Sequence, residues 1–308
     1  MILTVTANPT IDKVYFVDEL KLGGVHRPIN TTATAGGKGI NIARVATLLG
    51  EEAVALGFIG GSAGDFIREQ IIKLNITEAF TNVSGESRTN FNISDSRGFS
   101  TELLESGPTV TKKEINALFE QFEAYADKCD IICAAGSLPK GADSSFYKEL
   151  IRMAKAKGKR IIVDTSGATL LDIIDGAPFM IKPNRDELRD ILGFEAKDDA
   201  DIKKALLILY NKGIALPVIT LGEDGAYAYI EDKFYRFLSP AVSVKNAVGS
   251  GDSFVAGVAV GISRGFTIPK AIALGMAAGT ANTQFDETGY VSKELVDRFL
   301  KEIKYEIV

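Results

Sequence analysis

The chain has 308 residues, 46% hydrophobic and 24% charged, which suits one large domain with a sizeable core. Its 35 Lys and Arg against 40 Asp and Glu give a formal charge of −5 with no basic block, which argues against a nucleic-acid footprint. One histidine and two cysteines exclude a His-rich metal site and a disulfide framework, and no apolar run reaches bilayer length.

Ile2 to Ala7 alternates as a strand and stops at Asn8-Pro9. Residues 10–35 read as short strands and turns without a helix, a flap rather than core. Gly36-Gly37-Lys38-Gly39 then opens a helix that runs to Leu49 and ends at Gly50. A strand over 53–59 and an amphipathic helix marked by Phe66, Ile67, Ile71 and Leu74 follow. Residues 88–94 and 99–104 read as strands that complete the flap. From 111 onward helices and strands alternate: helix 111–126, strand 130–135, helix 144–157, strand 160–164, a short helix near 168–175, strand 179–182, helices 184–192 and 199–212, and strand 217–221. A hairpin over 226–230 and 233–238 leads to three helices, 252–264, 268–283 and 292–304. This alternation predicts α/β architecture, a doubly wound and mostly parallel sheet. The whole of 1–308 reads as one domain, with a β lid inserted from about 10–35 and 88–107. The start shows no basic, apolar leader, so a cytoplasmic location is expected.

Ligands gather at the carboxyl ends of the strands in such a sheet. Asn8 and Asp12, Gly136-Ser137, Asp164, Lys182 to Asn184 and Thr220 to Gly222 all fall there. Asn246-Ala247-Val248-Gly249-Ser250-Gly251-Asp252 adds a turn of small residues before a helix, with a carboxylate in the first helical turn. Backbone amides at such a terminus cradle an anion, and Asp252 beside them can take a proton, as phosphoryl transfer to a hydroxyl requires. An ordinary glycine turn with a capping Asp explains the same residues in isolation. Gly36 to Gly39 is a second anion cradle, with Lys38 adding a full charge. Arg27 and Arg88 can grip phosphate or merely lie exposed. Asn184 and Glu187 have capping-box spacing, and equally suit outer-sphere holding of Mg²⁺. Gly37-Lys38 is followed by Gly39, and Gly158-Lys159 by Arg160, so there is no Walker A loop; no G-x-G-x-x-G follows a strand.

Taken together and in order, Asn8-Pro9-Thr10-Ile11-Asp12, Gly36-Gly37-Lys38-Gly39-Ile40-Asn41, Gly136-Ser137-Leu138-Pro139, Lys182-Pro183-Asn184-Arg185-Asp186-Glu187, Thr220-Leu221-Gly222 and Gly249-Ser250-Gly251-Asp252 resemble the ribokinase-like (PfkB) carbohydrate kinases. Glu86-Ser87-Arg88, Thr101 to Pro108, Ser166 to Leu170 and Thr288-Gly289-Tyr290-Val291 lean to the phosphosugar branch of that family. The resemblance implies a three-layer α/β/α core and a small β lid that doubles as a homodimer interface. It implies Asp252 as catalytic base, with the amides of Gly249, Ser250 and Gly251 as anion hole. It places ATP near Lys182, Asn184, Thr220, Gly222, Gly225 and Asn282, and Mg²⁺ near Asn184 and Glu187. Sugar contacts fall to Asp12, Gly37, Lys38 and Asn41, with Arg88 and Ser137 on the sugar's phosphate and Arg27 reaching a phosphate in its own or a partner's site.

The implied reaction is ATP-dependent phosphorylation of a ketohexose monophosphate, tagatose 6-phosphate ahead of fructose 1-phosphate. The implied partners are that small molecule and a second copy of the chain, with neither nucleic acid nor membrane. Asn246 and Ala247 replace an Asp-Thr pair that many relatives associate with a monovalent cation, so dependence on such an ion is not expected to carry over. Ala135 stands where relatives often have Ser. A sugar-phosphate sensor without turnover, or a kinase for an unphosphorylated sugar or nucleoside, are the rival readings; intact Asp252 opposes the first, and Lys38 with Arg88 the second.

Overall fold

Strand Ile2–Thr6 is buried at every position, as a strand covered on both faces must be. In the computed structural model, which describes residues 1–308, it lies inside the main sheet. Ala53–Ile59, Ile2–Thr6, Ile131–Ala135, Arg160–Asp164, Met180–Ile181 and Leu216–Thr220 lie side by side in that order, all parallel. Beyond them Ala226–Ile230, Lys233–Leu238 and Lys304–Ile307 continue the sheet antiparallel.

Side chains along a strand alternate between faces, and here they sort into two cores. Ile131, Cys133 and Ala135 face helices Lys38–Leu48, Ser250–Ser263, Ile268–Asn282 and Lys293–Glu302. Ile132 and Ala134 face helices Lys112–Ala126, Ser144–Ala156 and Gly167–Ile174. The result is the doubly wound α/β/α sandwich that the alternation of elements predicts. None of the helices is long and apolar enough to cross a membrane.

A second, four-stranded sheet runs in the order Asn30–Gly36, Thr10–Val17, Arg88–Asp95, Ser100–Leu104. It leaves the main sheet at the carboxyl end of Ile2–Thr6 and returns through Gly36 into helix Lys38–Leu48, so its base abuts the strand ends. Val14, Phe16, Phe99, Leu103 and Leu104 are exposed on it.

Two features differ from the sequence reading. The last helix stops at Glu302, and Lys304–Ile307 forms an edge strand on Lys233–Leu238. Val296, Phe299 and Ile303 keep helical spacing, which hides the stop. The alternating Tyr305 and Ile307 then pair with the sheet, and Tyr305 packs on Phe237 with ring centroids 5.3 Å apart. Thr77–Glu78 and Thr81–Asn82 pair with Ala53–Ile59, but two residues are too few to show a period.

Helices Ser250–Ser263 and Ile268–Asn282 pack backbone to backbone. A Cβ on Gly257 would lie 2.6 Å from the Leu274 carbonyl oxygen and 2.8 Å from the Gly275 Cα, and one on Gly261 would lie 2.7 Å from the Ala271 Cα. None of these neighbours is a flexible side chain, so the helices would have to part. Gly257→Ala gains about 1 kcal/mol of intrinsic helix propensity. The variant should nonetheless lose about 1–2 kcal/mol net, because overpacking outweighs that gain. Urea unfolding with an unchanged slope measures it. A stabilised variant would mean that the helices separate freely.

Candidate active site

The turn before helix Ser250–Ser263 sets the site. Gly249 adopts a left-handed backbone, φ 83° and ψ −2°, and a Cβ there would lie 2.6 Å from the Gly289 nitrogen. No side chain caps this helix, and the amides of Gly251 and Asp252 have no partner within the chain. The free amides and the positive end of the macrodipole favour an anion. Asp252 is buried in the same turn, and Asn41 Nδ2 donates to its Oδ2 at 2.8 Å. Burial, and then the nearby Asp164 carboxylate, push the Asp252 carboxyl up to about 6, against Lys38, Asn41 and Lys182, which pull it down.

Lys38 and Asp164 form an ion pair, Nζ to Oδ2 3.3 Å, with Asp164 buried at the end of strand Arg160–Asp164. Burial raises the Asp164 carboxyl, but Lys182 and Lys38 outweigh it and hold the group below the usual carboxylate range. Burial would strip the Lys38 proton, yet Asp164, Asp252 and Glu187 keep its pKa above the ordinary value. Both groups are therefore charged near neutral pH. A cleft of about 330 Å³ joins these side chains to Lys182, Asn184, Glu187 and the Gly249–Gly251 backbone, with Val248 its one apolar residue. Its charges are two ammonium groups and three carboxylates.

Asn184 caps helix Arg185–Leu192 in a reciprocal box: Asn184 Oδ1 accepts from the Glu187 amide, and Glu187 Oε2 from the Asn184 amide, both at 2.9 Å. The box consumes one oxygen of Glu187 and leaves the other. These hard oxygen donors, beside the carboxylate of Asp164, suit a Mg²⁺ ion that keeps most of its water. Thr220 bridges to Asn184. Gly222–Asp224 form one tight turn closed by Gly225, and Arg185 pairs with Asp224 at 3.0 Å, fixing this loop to the helix start.

Asn282 does not face the cleft. It is fully buried, donates to the Val248 carbonyl at 2.9 Å, and accepts from the Gly289 and Tyr290 amides and the Ser253 hydroxyl. Its amide braces the Gly249 turn from behind, and its full burial keeps it out of the cleft. Asn246 is likewise committed, donating to the Asp286 carbonyl at 3.0 Å and accepting from the Val248 amide at 2.9 Å.

The remaining predicted residues gather under the small sheet. The Asp12 carboxylate lies against Gly36, where a Cβ would collide with it, and accepts from Asn90 Nδ2 at 3.2 Å. Arg88 donates from Nε to the Asn8 carbonyl at 3.1 Å and from Nη1 to the Glu105 carbonyl at 3.2 Å. The buried Oδ1 atoms of Asn8 and Asn90 have no partner within the chain. Gly37 begins the helix with φ 107°, and a Cβ there would lie 2.7 Å from Thr6 Cγ2.

Lys38 and Arg88, the two cations that the sequence sets against an unphosphorylated acceptor, are not brought together in the cleft. Lys38 points to Asp164 among the cleft residues, and Arg88 holds the base of the small sheet. Ser137 is exposed beyond Gly136, and Arg27 is exposed in the loop before Asn30–Gly36. Asp164, read from the sequence as one of the polar strand ends where ligands gather, was given no role there, and two residues escaped altogether. Arg44 carried a signal, a cation on the buried face of helix Lys38–Leu48. Asn90 carried none.

The pattern of the pfkB family carbohydrate kinases matches residues 5–294. The tagatose-6-phosphate kinase of Staphylococcus epidermidis is 37% identical over 307 residues, 99% of each chain. Phosphofructokinase-2 from Escherichia coli, solved in complex with potassium, superposes with a TM-score of 0.92 at 26% identity over 98% of each chain. That enzyme has also been solved in a tetrameric inhibited form. A possible 1-phosphofructokinase from Thermotoga maritima gives a TM-score of 0.89 at 28% identity, covering 100% of this chain and 99% of its own. With the family pattern running from residue 5 to 294 over a matching fold and an end-to-end relative, the chain belongs to the pfkB family of carbohydrate kinases.

Proposed function

We propose that the enzyme transfers the γ-phosphoryl group of ATP to the free primary hydroxyl of a ketohexose monophosphate. Tagatose 6-phosphate, giving the 1,6-bisphosphate, is the first choice, in line with the Staphylococcus epidermidis relative, and fructose 1-phosphate the second. One observation carries the reading: a buried carboxylate, Asp252, one residue from the unpartnered amide of Gly251 and beside two ammonium groups.

Asp252 accepts the hydroxyl proton as the oxygen attacks phosphorus and the bond to ADP breaks. The amides of the Gly249–Gly251 turn, with Lys38 and Lys182, balance charge on the transferring group. Lys182, Asn184, Thr220, Gly222 and Gly225 line the nucleotide end. Asn184 and Glu187 would hold Mg²⁺ through water, and the ion supplies charge neutralisation on the phosphates. Asp12, Gly37, Asn41 and Asn90 read the sugar, and Arg88, Ser137 and Arg27 its phosphate. The small sheet acts as a lid that excludes water. A cytoplasmic location accords with ATP and a sugar phosphate as substrates. A sensor without turnover has no use for an ionisable base at a free anion cradle, and Arg88 would meet no phosphate on a neutral acceptor.

Initial rates on a panel of sugar phosphates with ATP test the reaction. We expect turnover of tagatose 6-phosphate, with a preference over fructose phosphates of only about 10–200-fold in kcat/KM, since one ring hydroxyl differs. Asp252→Asn should lower kcat by about 10²–10⁴ while nucleotide still binds. Asp252 works ionised and its carboxyl sits at about 6, so kcat/KM should fall as pH drops through that value and level off above it. No turnover of any sugar phosphate would sink the reading, and an Asp252→Asn variant within a few-fold of the parent would remove Asp252 from it.

The separation of Lys38 from Arg88 gives them different kinetic signatures. Arg88→Ala should raise acceptor KM about tenfold or more and spare ATP KM. Lys38→Ala should instead lower kcat by about 10²–10³. Equal effects on acceptor KM would place both residues on the acceptor.

The apolar side chains Val14, Phe16 and Leu104, exposed on one face of the small sheet, support a homodimer joined there, which a single chain leaves uncovered. Light scattering should show a dimer at micromolar concentration, and the pair Phe16→Glu and Leu104→Glu should yield monomers. A monomeric parent would count against the interface.

A further inference from the structure

Arg44 sits on helix Lys38–Leu48, buried, and reaches three separate pieces of backbone or side chain. Nη1 donates to Asn41 Oδ1 at 2.9 Å and to the Thr288 carbonyl at 3.0 Å, while Nη2 donates to the Ala35 carbonyl. Burial depresses its pKa, and the carboxylates of Asp12, Glu287 and Asp252 oppose that. Ala35 is in the last strand of the small sheet before the Gly36-Gly37 turn, and Thr288 precedes the Gly289 that packs on the Gly249 turn. One guanidinium therefore joins the lid's base, the helix and the loop behind the anion cradle.

Its bond to Asn41 has a chemical consequence. A carboxamide can sit in either of two flipped orientations, but guanidinium has donors only. Arg44 thus demands Oδ1 of Asn41, which turns Nδ2 toward Asp252, where it meets Oδ2 at 2.8 Å. With Oδ2 held, Oδ1 of Asp252 is the oxygen left for an incoming hydroxyl. The other charged groups facing Asp252 are Lys38 on the same helix, Asp164 at a strand end and Lys182 before the Asn184 cap; none of them fixes the Asn41 amide.

We infer that Arg44 is a positioning residue: by locking the Asn41 amide it orients the Asp252 carboxylate, and by binding Ala35 it links that orientation to the base of the small sheet. The inference rests on the proposed role of Asp252 as base. It adds a control of that base by a residue which touches neither sugar nor nucleotide in the proposed scheme.

The test is a double-mutant cycle on Arg44→Met and Asn41→Ala with full kinetics. Arg44→Met should cut kcat about tenfold or more while acceptor KM changes less than about threefold. The acid limb of kcat/KM should move to higher pH by about half a unit to one unit, because Asp252 loses a donor and a nearby cation, both of which favour its charged form. In the Asn41→Ala background, Arg44→Met should cost less than about twofold, since the route through Asn41 is gone. Should Arg44→Met not fold by circular dichroism, Arg44→Lys, which keeps the charge but not the fork, carries the test and should show intermediate kcat and acid limb.

An acid limb unmoved in a folded variant would overturn the inference, as would an equal loss in the Asn41→Ala background. If the parent turns over no sugar phosphate, the functional reading falls on its own. The ¹³C-carboxyl titration of Asp252, assigned with Asp252→Asn, still decides this inference: an upward midpoint in Arg44→Met supports it, and an unchanged one overturns it.

Discussion

A carboxylate taken out of water is costly, and the active end of this protein is organised by how that cost is offset at Asp252. The residue is buried within a helix's first turn, where the macrodipole favours its charge. Asn41 donates to it, and Lys38 and Lys182 lie near enough to pull its pKa down. Asp164, buried and charged, pushes the other way while holding Lys38. The balance leaves a carboxylate that is ionised at neutral pH yet basic enough to accept a proton. A free surface Asp would be a weaker base, and a fully desolvated one would stay protonated.

Such a balance requires a rigid platform. The helix bearing Asp252 packs on helix Ile268–Asn282 through glycines at near backbone contact, so its N-terminus cannot drift relative to the sheet. Asn282, at the end of that second helix, reaches back to Val248, Gly289 and Ser253 and pins the turn. The free amides of the turn are available to an anion because the brace comes from behind. Glycine at 249 is what allows both: its left-handed backbone turns the amides outward, and its missing Cβ admits Gly289.

The small sheet contributes differently. Its strands supply Asp12, Arg88 and Asn90, whose contacts to one another and to Asn8 build a polar floor against Gly36. Two carboxamide oxygens there lack partners within the chain, while across the cleft the Asn184–Glu187 box and the Arg185–Asp224 pair tie the start of helix Arg185–Leu192 and leave one Glu187 oxygen free.

Much of this was written locally in the chain. Alternation in Ile2–Ala7 and in 130–135, helical spacing in 111–126, and polar residues at each strand end sufficed for a doubly wound sheet with its site at the carboxyl edge, because backbone periodicity and turn chemistry are short-range. The Gly249–Asp252 turn and the Asn184–Glu187 box were legible for the same reason, since each is complete within four residues. What the sequence could not decide were contacts between distant segments. Lys38 and Arg88 looked alike as cations, but Asp164, 126 positions after Lys38, draws one into the cleft, and the Asn8 and Glu105 carbonyls keep the other at the base of the small sheet. Asn282 looked like a ligand contact until packing placed it behind the turn. Arg44 was given no role from the sequence; the fold brings Ala35, Asn41 and Thr288 around it. A side chain's chemistry is set by its residue type, but its partners are set by the folded chain, and at this site the partners assign the roles.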